Sequence, residues 1–513
     1  MKPTAARRTL AAATACSVGG APALADARPN SLFGTGAVLQ RGIRLPVWGT
    51  ARDGERVTVK LCGQTATATA VSGKWKVWLK PMRAGGPFAL EVAGDRTVVS
   101  HDVLIGDVWV CSGQSNMELP LWMARDGEAA ARASSDPQLR LYSVAHNIQP
   151  ESVADARSAW AACGPASVRE FSGVGYHFGQ ELRKALGVPI GLINTSYGGT
   201  VLQAWASREA LAGNPTARRL MVEFAAMKEP PIWATGQNTW GGLYNGMVAP
   251  LIPFGMRGVL WYQGEGNVGG GWDYRDLLPR LIAQWRDEWG QGRFPFLVVQ
   301  IAPFGKPAAE PGESLSAEIR DAQLLASQSD RKTGLVVTTD VGDEVDIHPR
   351  DKRTVGARLA LAARALAYGQ RIEYCGPMLR STAFRRGEAV LTFDHAAKGL
   401  RSVGGPLRGF AVAGADRKFV RAEAVIRGRQ VVVRSPLVAA PAAVRYGWAD
   451  LPVVNLANAQ GLPASPFRTD TWPILSQPRW GGATQGPVLQ PPVRSGRGPT
   501  PGPPLQGQLP ARG

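Results

Sequence analysis

The segment VWVCSGQSNMELP, residues 108–120, joins a run of apolar residues to a turn of small polar ones. Its first four residues are typical of a strand covered on both faces, because apolar side chains follow one another without alternation. The abrupt polar turn has two interpretations. Small polar residues can simply end a strand and start a helix, or the turn can expose the Ser115 hydroxyl as a nucleophile. The rest of the chain has to decide between them.

Four further segments share the continuous apolar character of this strand: PIGLIN (189–194), RGVLWYQ (257–263), PFLVVQI (295–301) and TGLVVTT (333–339). Segments with a helical repeat of apolar residues lie between or after them, at 171–187, 274–290 and 351–369. Strands that alternate with helices indicate an α/β fold with a doubly wound, mostly parallel sheet. We assign this domain to residues 103–374.

Two β-rich regions flank the α/β domain. Residues 30–102 contain runs such as RVTVKL (56–61) with apolar residues at every second position, which predicts an N-terminal antiparallel β domain. Residues 375–476 return to short apolar runs and are expected to form a further C-terminal β region. Residues 477–513 are rich in Pro and Gly, a composition that predicts a disordered tail.

The amino end predicts export. Residues 1–25 combine a basic start, an Ala-rich apolar middle and an Ala-Leu-Ala sequence before Asp26, the layout of a cleaved signal peptide. The protein is therefore expected in the periplasm or outside the cell. No stretch approaches the roughly 20 apolar residues of a membrane span, and no membrane anchor is expected.

Charge and cysteine spacing exclude two classes of function. The formal net charge is +18, but the Lys and Arg residues are spread along the chain without a block, so nucleic-acid binding is not expected. Four cysteines, Cys62, Cys111, Cys163 and Cys375, remain after the predicted cleavage site. They permit disulfides but are expected to be small buried hydrophobic residues. No spacing typical of zinc ligands occurs, so no metal site is predicted.

In a doubly wound sheet, ligands bind outside the carboxyl ends of the strands. Ser115 follows one such end, and the segment DVGDEVDIHP (340–349) follows another. His348 in this segment is the one histidine that follows a core strand, which makes it the candidate base that a serine nucleophile needs. Asp346, two residues earlier, is placed to orient the imidazole. In the alternative interpretation the acidic residues of this segment form a solvated turn that caps the next helix.

Acyl transfer also requires hydrogen-bond donors for the oxyanion. The segment SYGGT (196–200) offers the backbone N–H groups of Gly198 and Gly199, where a substrate can approach closely. Gln263, at the end of another strand, can donate through its amide. The alternative is that the glycines form a turn and Gln263 caps a strand.

Four ordered motifs resemble the sialate O-acetylesterases of the SGNH hydrolase superfamily. They are GDVWVCSGQSNMELPL (106–121), NTSYGGTVLQAW (194–205), LYNGMVAPLIPFGMRGVLWYQGEGN (243–267) and DVGDEVDIHPRDKRTVGARLALAARAL (340–366). The similarity extends from about Ser31 to Asp470. It implies an α/β fold of the SGNH-hydrolase type, a doubly wound parallel sheet with the two flanking β regions.

By this resemblance, Ser115 is the nucleophile and His348 the base. The oxyanion is held by the Ser115 N–H, one of the glycines 198 and 199, and Gln263. The superfamily's usual Asp-x-x-His spacing points to position 345, which is Val345 here. The third member of the triad is therefore expected to be Asp346, with Asp343 and Glu265 as the other candidates.

The resemblance implies hydrolysis of O-acetyl esters on sugars, with acetylated sialic acids as the family's substrates and no cofactor. The residues expected to bind the sugar are Asn116, Glu265, Asn267 and Arg350. Two other functions remain open at this point. One is an acetylxylan-type esterase that acts on plant polysaccharide, and the other is a non-catalytic glycan-binding protein. The sequence leaves the oligomeric state undefined.

Overall fold

The computed structural model describes residues 27–477. The predicted signal peptide lies outside the described residues, and so does the predicted tail apart from its first residue. Within residues 27–477, no helix combines the length and the apolar character needed to cross a bilayer.

The described part of the chain contains strands in its amino-terminal region, alternating strands and helices in its middle, and strands again in its last region. The strands are β1 (Arg28–Pro29), β2 (Val38–Gln40), β3 (Leu45–Thr50), β4 (Arg56–Leu61), β5 (Gln64–Thr69), β6 (Lys74–Leu79), β7 (Gly85–Ala93), β8 (Thr97–Gly113), β9 (Asp136–Ser143), β10 (Trp160–Cys163), β11 (Ile190–Ser196), β12 (Gly258–Tyr262), β13 (Phe296–Val299), β14 (Thr333–Val336), β15 (Met378–Arg385), β16 (Glu388–Asp394), β17 (Leu400–Ser402), β18 (Phe410–Ala413), β19 (Val420–Arg421), β20 (Glu423–Arg427), β21 (Gln430–Arg434), β22 (Ala443–Tyr446), β23 (Leu456–Asn458) and β24 (Phe467–Arg468). The α-helices are α1 (Ser115–Glu118), α2 (Gly127–Arg132), α3 (Pro165–Val168), α4 (Gly173–Leu186), α5 (Arg208–Ala212), α6 (Pro215–Ala226), α7 (Gly271–Trp289), α8 (Leu315–Ser329) and α9 (Lys352–Leu366).

The central sheet has the strand order β10-β9-β11-β8-β12-β13-β14. All its neighbouring pairs are parallel except β10 with β9, which is antiparallel. The predicted α/β class is confirmed, and the antiparallel edge strand makes the sheet mixed. The helices predicted at residues 171–187, 274–290 and 351–369 correspond to α4, α7 and α9.

One strand runs across the predicted boundary between residues 102 and 103. The first part of β8 pairs antiparallel with β7, and its last part pairs parallel with β11 and β12. The amino-terminal strands β4, β5 and β7 therefore join the central sheet, while β1, β3 and β6 form a separate three-stranded sheet. The predicted alternation of β4 is present, because Val57, Val59 and Leu61 are buried.

The last region contains two four-stranded sheets, β15-β16-β21-β20 and β19-β18-β22-β24, and the pair β17-β23. One contact of this region with the α/β domain is made by Arg320 of α8, which is fully buried. The Arg320 guanidinium donates to the carbonyls of Ile301 after β13 and of Ala449 and Asp450 in the last region. Burial lowers the pKa of Arg320 to about 10. The side chain therefore replaces the lost hydration with carbonyl acceptors from both regions.

The four described cysteines are free thiols. Cys111, Cys163 and Cys375 are buried, as the prediction of small hydrophobic residues requires. Cys62 differs because it lies in the exposed turn between β4 and β5.

Gly113, the last residue of β8, is required by close backbone packing. Its φ is 137°, and a Cβ added there would lie 2.1 Å from the Tyr262 carbonyl oxygen. We expect Gly113→Ala to lower the free energy of unfolding by about 3 kcal/mol, because both the backbone conformation and the contact become strained. Urea denaturation measures this change. Gly312→Ala is the matched control, since no atom lies within 4 Å of its added Cβ. An equal effect of both substitutions would contradict the packing argument.

Candidate active site

Ser115 is placed at the carboxyl edge of the sheet by the end of β8. The Gln114 N–H donates to the Tyr262 carbonyl, and Ser115 then begins α1. As the first residue of a helix, Ser115 has a backbone N–H without an acceptor inside that helix. The sharp turn therefore presents at the same edge both a hydroxyl and an N–H that has no acceptor among residues 27–477.

His348 lies opposite this hydroxyl. Its Nε2 is 2.8 Å from the Ser115 Oγ, although the two residues are 233 positions apart in the chain. Asp346 Oδ1 is 3.2 Å from His348 Nδ1 and also accepts from the His348 backbone N–H at 2.8 Å. With the proton on Nδ1, Nε2 accepts the hydrogen bond of the Ser115 hydroxyl. The structure thus brings together the three residues that the sequence suggests as a triad.

Asp343, another acidic residue of the loop that carries His348, bonds to the backbone of this loop. Asp343 Oδ1 accepts from the backbone N–H groups of Val345 and Asp346, and these bonds lower the pKa of Asp343. Asp343 therefore shapes the turn that carries Asp346. Val345 occupies the spacing that the superfamily usually gives to the acid, and its apolar side chain is 86% exposed.

The two candidate oxyanion glycines differ in their surroundings. The Gly198 N–H donates to Glu118 Oε2 at 2.6 Å, so this N–H already has an acceptor. Gly199 has a φ of 69° and is exposed. Among residues 27–477, no group accepts a hydrogen bond from the Gly199 N–H. Gly199 is therefore the glycine whose N–H remains available to a substrate.

The prediction that Gln263 donates to the oxyanion is corrected by the structure. Gln263 is fully buried, and its Nε2 donates to the Thr200 carbonyl and to Asn267 Oδ1. Its Oε1 accepts from the Tyr274 hydroxyl at 2.9 Å. Gln263 thus links two loops below the site, because both of its amide donors are already used.

Two of the four residues predicted to bind the sugar, Asn116 and Asn267, are also corrected, whereas Glu265 is half-buried. Asn116 and Asn267 are buried, and the Asn267 Nδ2 donates to Gln203 Oε1. Glu265 Oε1 accepts from Asn116, while its Oε2 is enclosed and lacks a partner within the described chain. Arg350 alone of the four is exposed beside His348, and its Nε donates to the Met123 carbonyl.

The sequence did not indicate two further side chains near Ser115. They are Glu118, in the same helix as Ser115, and His146, which contacts Glu118. Glu118 Oε1 is 2.6 Å from His146 Nε2, and the His146 ring stacks on Tyr197 with ring centroids 3.7 Å apart. Glu118 follows Ser115 by one helical turn, and this spacing is the one signal that could have singled it out. His146 had no such signal, because it lies in a polar connection far from the motifs.

The chain is similar to known proteins over most of its length. The family model described as "Carbohydrate esterase, sialic acid-specific acetylesterase" matches residues 105–365. The sialate O-acetylesterase of Rattus norvegicus is 31% identical over 491 residues, which cover 82% of this chain and 90% of that protein. The sialate O-acetylesterase of Homo sapiens is 32% identical over 371 residues, covering 65% of this chain and 69% of that protein.

A solved structure is also similar. The crystal structure of a novel carbohydrate acetylesterase from Xanthomonas citri superposes with a TM-score of 0.80 and 42% sequence identity. The match covers 87% of this chain and all of that one.

The contact between Asp346 and His348 predicts a moderate loss of activity in Asp346→Asn. A buried triad aspartate is worth about 10⁴-fold in kcat, but the Asp346 side chain is 55% exposed and solvent screens its charge. We expect kcat/KM for an aryl acetate to fall about 10- to 100-fold. Asp343→Asn is the control, since asparagine keeps an acceptor oxygen for the two N–H groups of the turn. Unchanged kcat/KM in Asp346→Asn would reject Asp346 as the third member of the triad.

Proposed function

Because the chain belongs to the sialic acid-specific acetylesterase family of carbohydrate esterases, we propose that Ser115 is the nucleophile with which it removes acetyl groups from O-acetylated sugars. The family makes the chain a carboxylic ester hydrolase, so the non-catalytic glycan-binding alternative loses its support. The single observation that carries the assignment of Ser115 is the 2.8 Å hydrogen bond between its Oγ and His348 Nε2.

In the proposed mechanism, His348 Nε2 takes the proton of the Ser115 hydroxyl as the oxygen attacks the acetyl carbonyl. Asp346 stabilises the imidazolium that forms, through Nδ1. His348 then gives the proton to the departing sugar oxygen, which leaves an acetyl ester on Ser115. A water molecule, deprotonated by the same imidazole, attacks that ester. The imidazolium returns the proton to the Ser115 oxygen as the acetyl C–O bond breaks, which releases acetate and restores the free hydroxyl.

The oxyanion of each tetrahedral intermediate needs donors that are in place before the reaction. The Ser115 N–H is one, because it lies at the first position of α1. We assign the second to the Gly199 N–H, since the Gly198 N–H is bonded to Glu118. Both donors are backbone groups and so are held by the fold itself.

O-acetylated sialic acids are the first candidate substrates. The matching family is described as sialic acid-specific, and the mammalian relatives are sialate O-acetylesterases. A sialic acid carries a carboxylate. Arg350, exposed two residues after His348, is the cation that we assign to it.

Neutral acetylated polysaccharide, such as acetylated xylan, is the second candidate. The observation that favours it is the charge of the accessible side chains around Ser115. Glu118 and Asp346 present partly exposed carboxylates there, which repel an anionic sugar and accept hydrogen bonds from sugar hydroxyls.

The nucleophile assignment predicts the behaviour of Ser115→Ala. This variant is expected to lose all measurable turnover of an aryl acetate while keeping the urea midpoint of the original protein, because only one hydroxyl is removed. A serine-directed phosphonate should label Ser115, as peptide mass spectrometry would show. Retained turnover in the variant, or a label on another residue, would reject the mechanism.

The two substrate candidates predict different responses of Arg350→Ala. If O-acetylated sialic acid is the substrate, the original protein releases acetate from it faster than from acetylated xylan. Arg350→Ala should then raise KM for the sialic acid about tenfold, as the loss of a charge-assisted contact does. The KM for acetylated xylan should not change. Faster release from xylan, with no effect of Arg350→Ala on the sialic acid, would instead favour the neutral polysaccharide.

A further inference from the structure

The side chain of Asn116, directly after the nucleophile, joins three parts of the chain beneath the site. Its Nδ2 donates to Glu265 Oε1 at 2.7 Å and to the Ile347 carbonyl at 3.0 Å. Its Oδ1 accepts from the ammonium of Lys352 at 2.6 Å. Asn116 is fully buried, so these partners take the place of water. The loops after β8 and β12 and the segment that carries His348 therefore meet at one amide.

The chemistry of the partners allows one orientation of this amide. Its NH₂ group faces a carboxylate and a carbonyl, which are both acceptors, and its oxygen faces an ammonium, which is a donor. A rotation by 180° would set NH₂ against the ammonium and oxygen against two acceptors. Lys352 and Glu265 thus hold Asn116 from opposite ends.

Lys352 is an unusual residue at its position. It is the first residue of α9, where the helix dipole disfavours a cation, and it is 1% exposed. Burial lowers its pKa to about 7, against the opposing charges of Glu265, Asp346 and Asp351. Beyond Asn116, its ammonium lies 5.5 Å from the centre of the Tyr262 ring. An apolar side chain of similar volume would cost less to bury at this place.

We propose that Lys352 is a positioning residue of the esterase reaction, which holds Asn116 so that Ser115 and the His348 loop keep their hydrogen-bond distance. The proposal rests on the function proposed for Ser115 and His348. Lys352 acts through Asn116, whose backbone follows Ser115 and whose Nδ2 holds the carbonyl of the residue before His348. Its contribution is to the geometry of the reacting groups, and substrate binding is left to other residues.

Glu265 balances the charge of Lys352 through the same amide. Burial raises the pKa of the Glu265 carboxyl, and its Oε2 is enclosed without a partner in the described chain. Removal of either charge leaves the other buried and unpaired, which destabilises the fold. Removal of both charges should restore much of the stability, and this separates a structural role of Lys352 from a positioning role.

The test compares Lys352→Met, Glu265→Gln and the double variant with the original protein, using an aryl acetate as substrate so that the sugar preference does not matter. Lys352→Met is expected to lower kcat about 100-fold, the size of effect known for a displacement of reacting groups by about 1 Å, with KM changed less than about threefold. Both single variants should lower the urea midpoint. The double variant should regain the midpoint but keep the low kcat. Lys184→Met, which changes an exposed lysine of α4, is the control and should alter neither quantity.

Two results would overturn the proposal. One is a kcat that returns together with the urea midpoint in the double variant, since Lys352 would then act on stability alone. The other is a Lys352→Met variant that folds and keeps the original kcat. A crystal structure of Lys352→Met gives a readout independent of turnover, and the bond from Asn116 to the Ile347 carbonyl should be lost in it. If the original protein has no turnover that depends on Ser115, the proposed function fails. The role of Lys352 is tested separately, because an intact bond from Asn116 to the Ile347 carbonyl in the Lys352→Met structure would reject it.

Discussion

The site depends on the fact that three neighbouring parallel strands, β8, β11 and β12, end side by side. Gly113, the last residue of β8, pairs with Ser196 at the end of β11 on one side and with Tyr262 at the end of β12 on the other. The loops that follow these three strands therefore begin at the same position along the edge of the sheet. Because the strands are hydrogen-bonded neighbours about 4.8 Å apart, the residues that follow them must meet. A glycine is needed at this point, where the Tyr262 carbonyl leaves no room for a Cβ.

The loops that start at this edge are fastened to each other by polar side chains beneath the surface. The Gln114 Oε1 accepts from the backbone N–H groups of Gly264 and Gly266, and Gln263 binds the loop that follows β11. Asn116 adds the His348 loop to the same set. Such buried amides have satisfied donors and acceptors, so they fix the relative position of loops that would otherwise move independently. These amides thus fix the positions of Ser115, at the start of α1, and of His348, in a loop.

The last β region supports the His348 loop from the side. The Asp343 N–H donates to the Pro303 carbonyl, and the Phe304 N–H donates to the Asp450 carbonyl. Arg320 holds that same Asp450 carbonyl from inside the protein. A continuous series of backbone contacts therefore runs from the last β region to the turn that carries Asp346. This arrangement gives the region a structural reason to accompany the α/β domain.

The sequence by itself determined the α/β class, the helices α4, α7 and α9, and the choice of Ser115 and His348 as the candidate nucleophile and base. These follow from periodicity and from position after a core strand, which are local properties of the chain. The direction of a side chain at a strand end is decided by contacts between distant segments. For this reason only the tertiary structure decided that Gln263, Asn116 and Asn267 point inward. The same holds for the hydrogen bond from the Gly198 N–H to Glu118 and for the one from Lys352 to Asn116, next to Ser115. Likewise β8 runs through the predicted domain boundary, because strand pairing on both of its sides outweighs the local change of pattern.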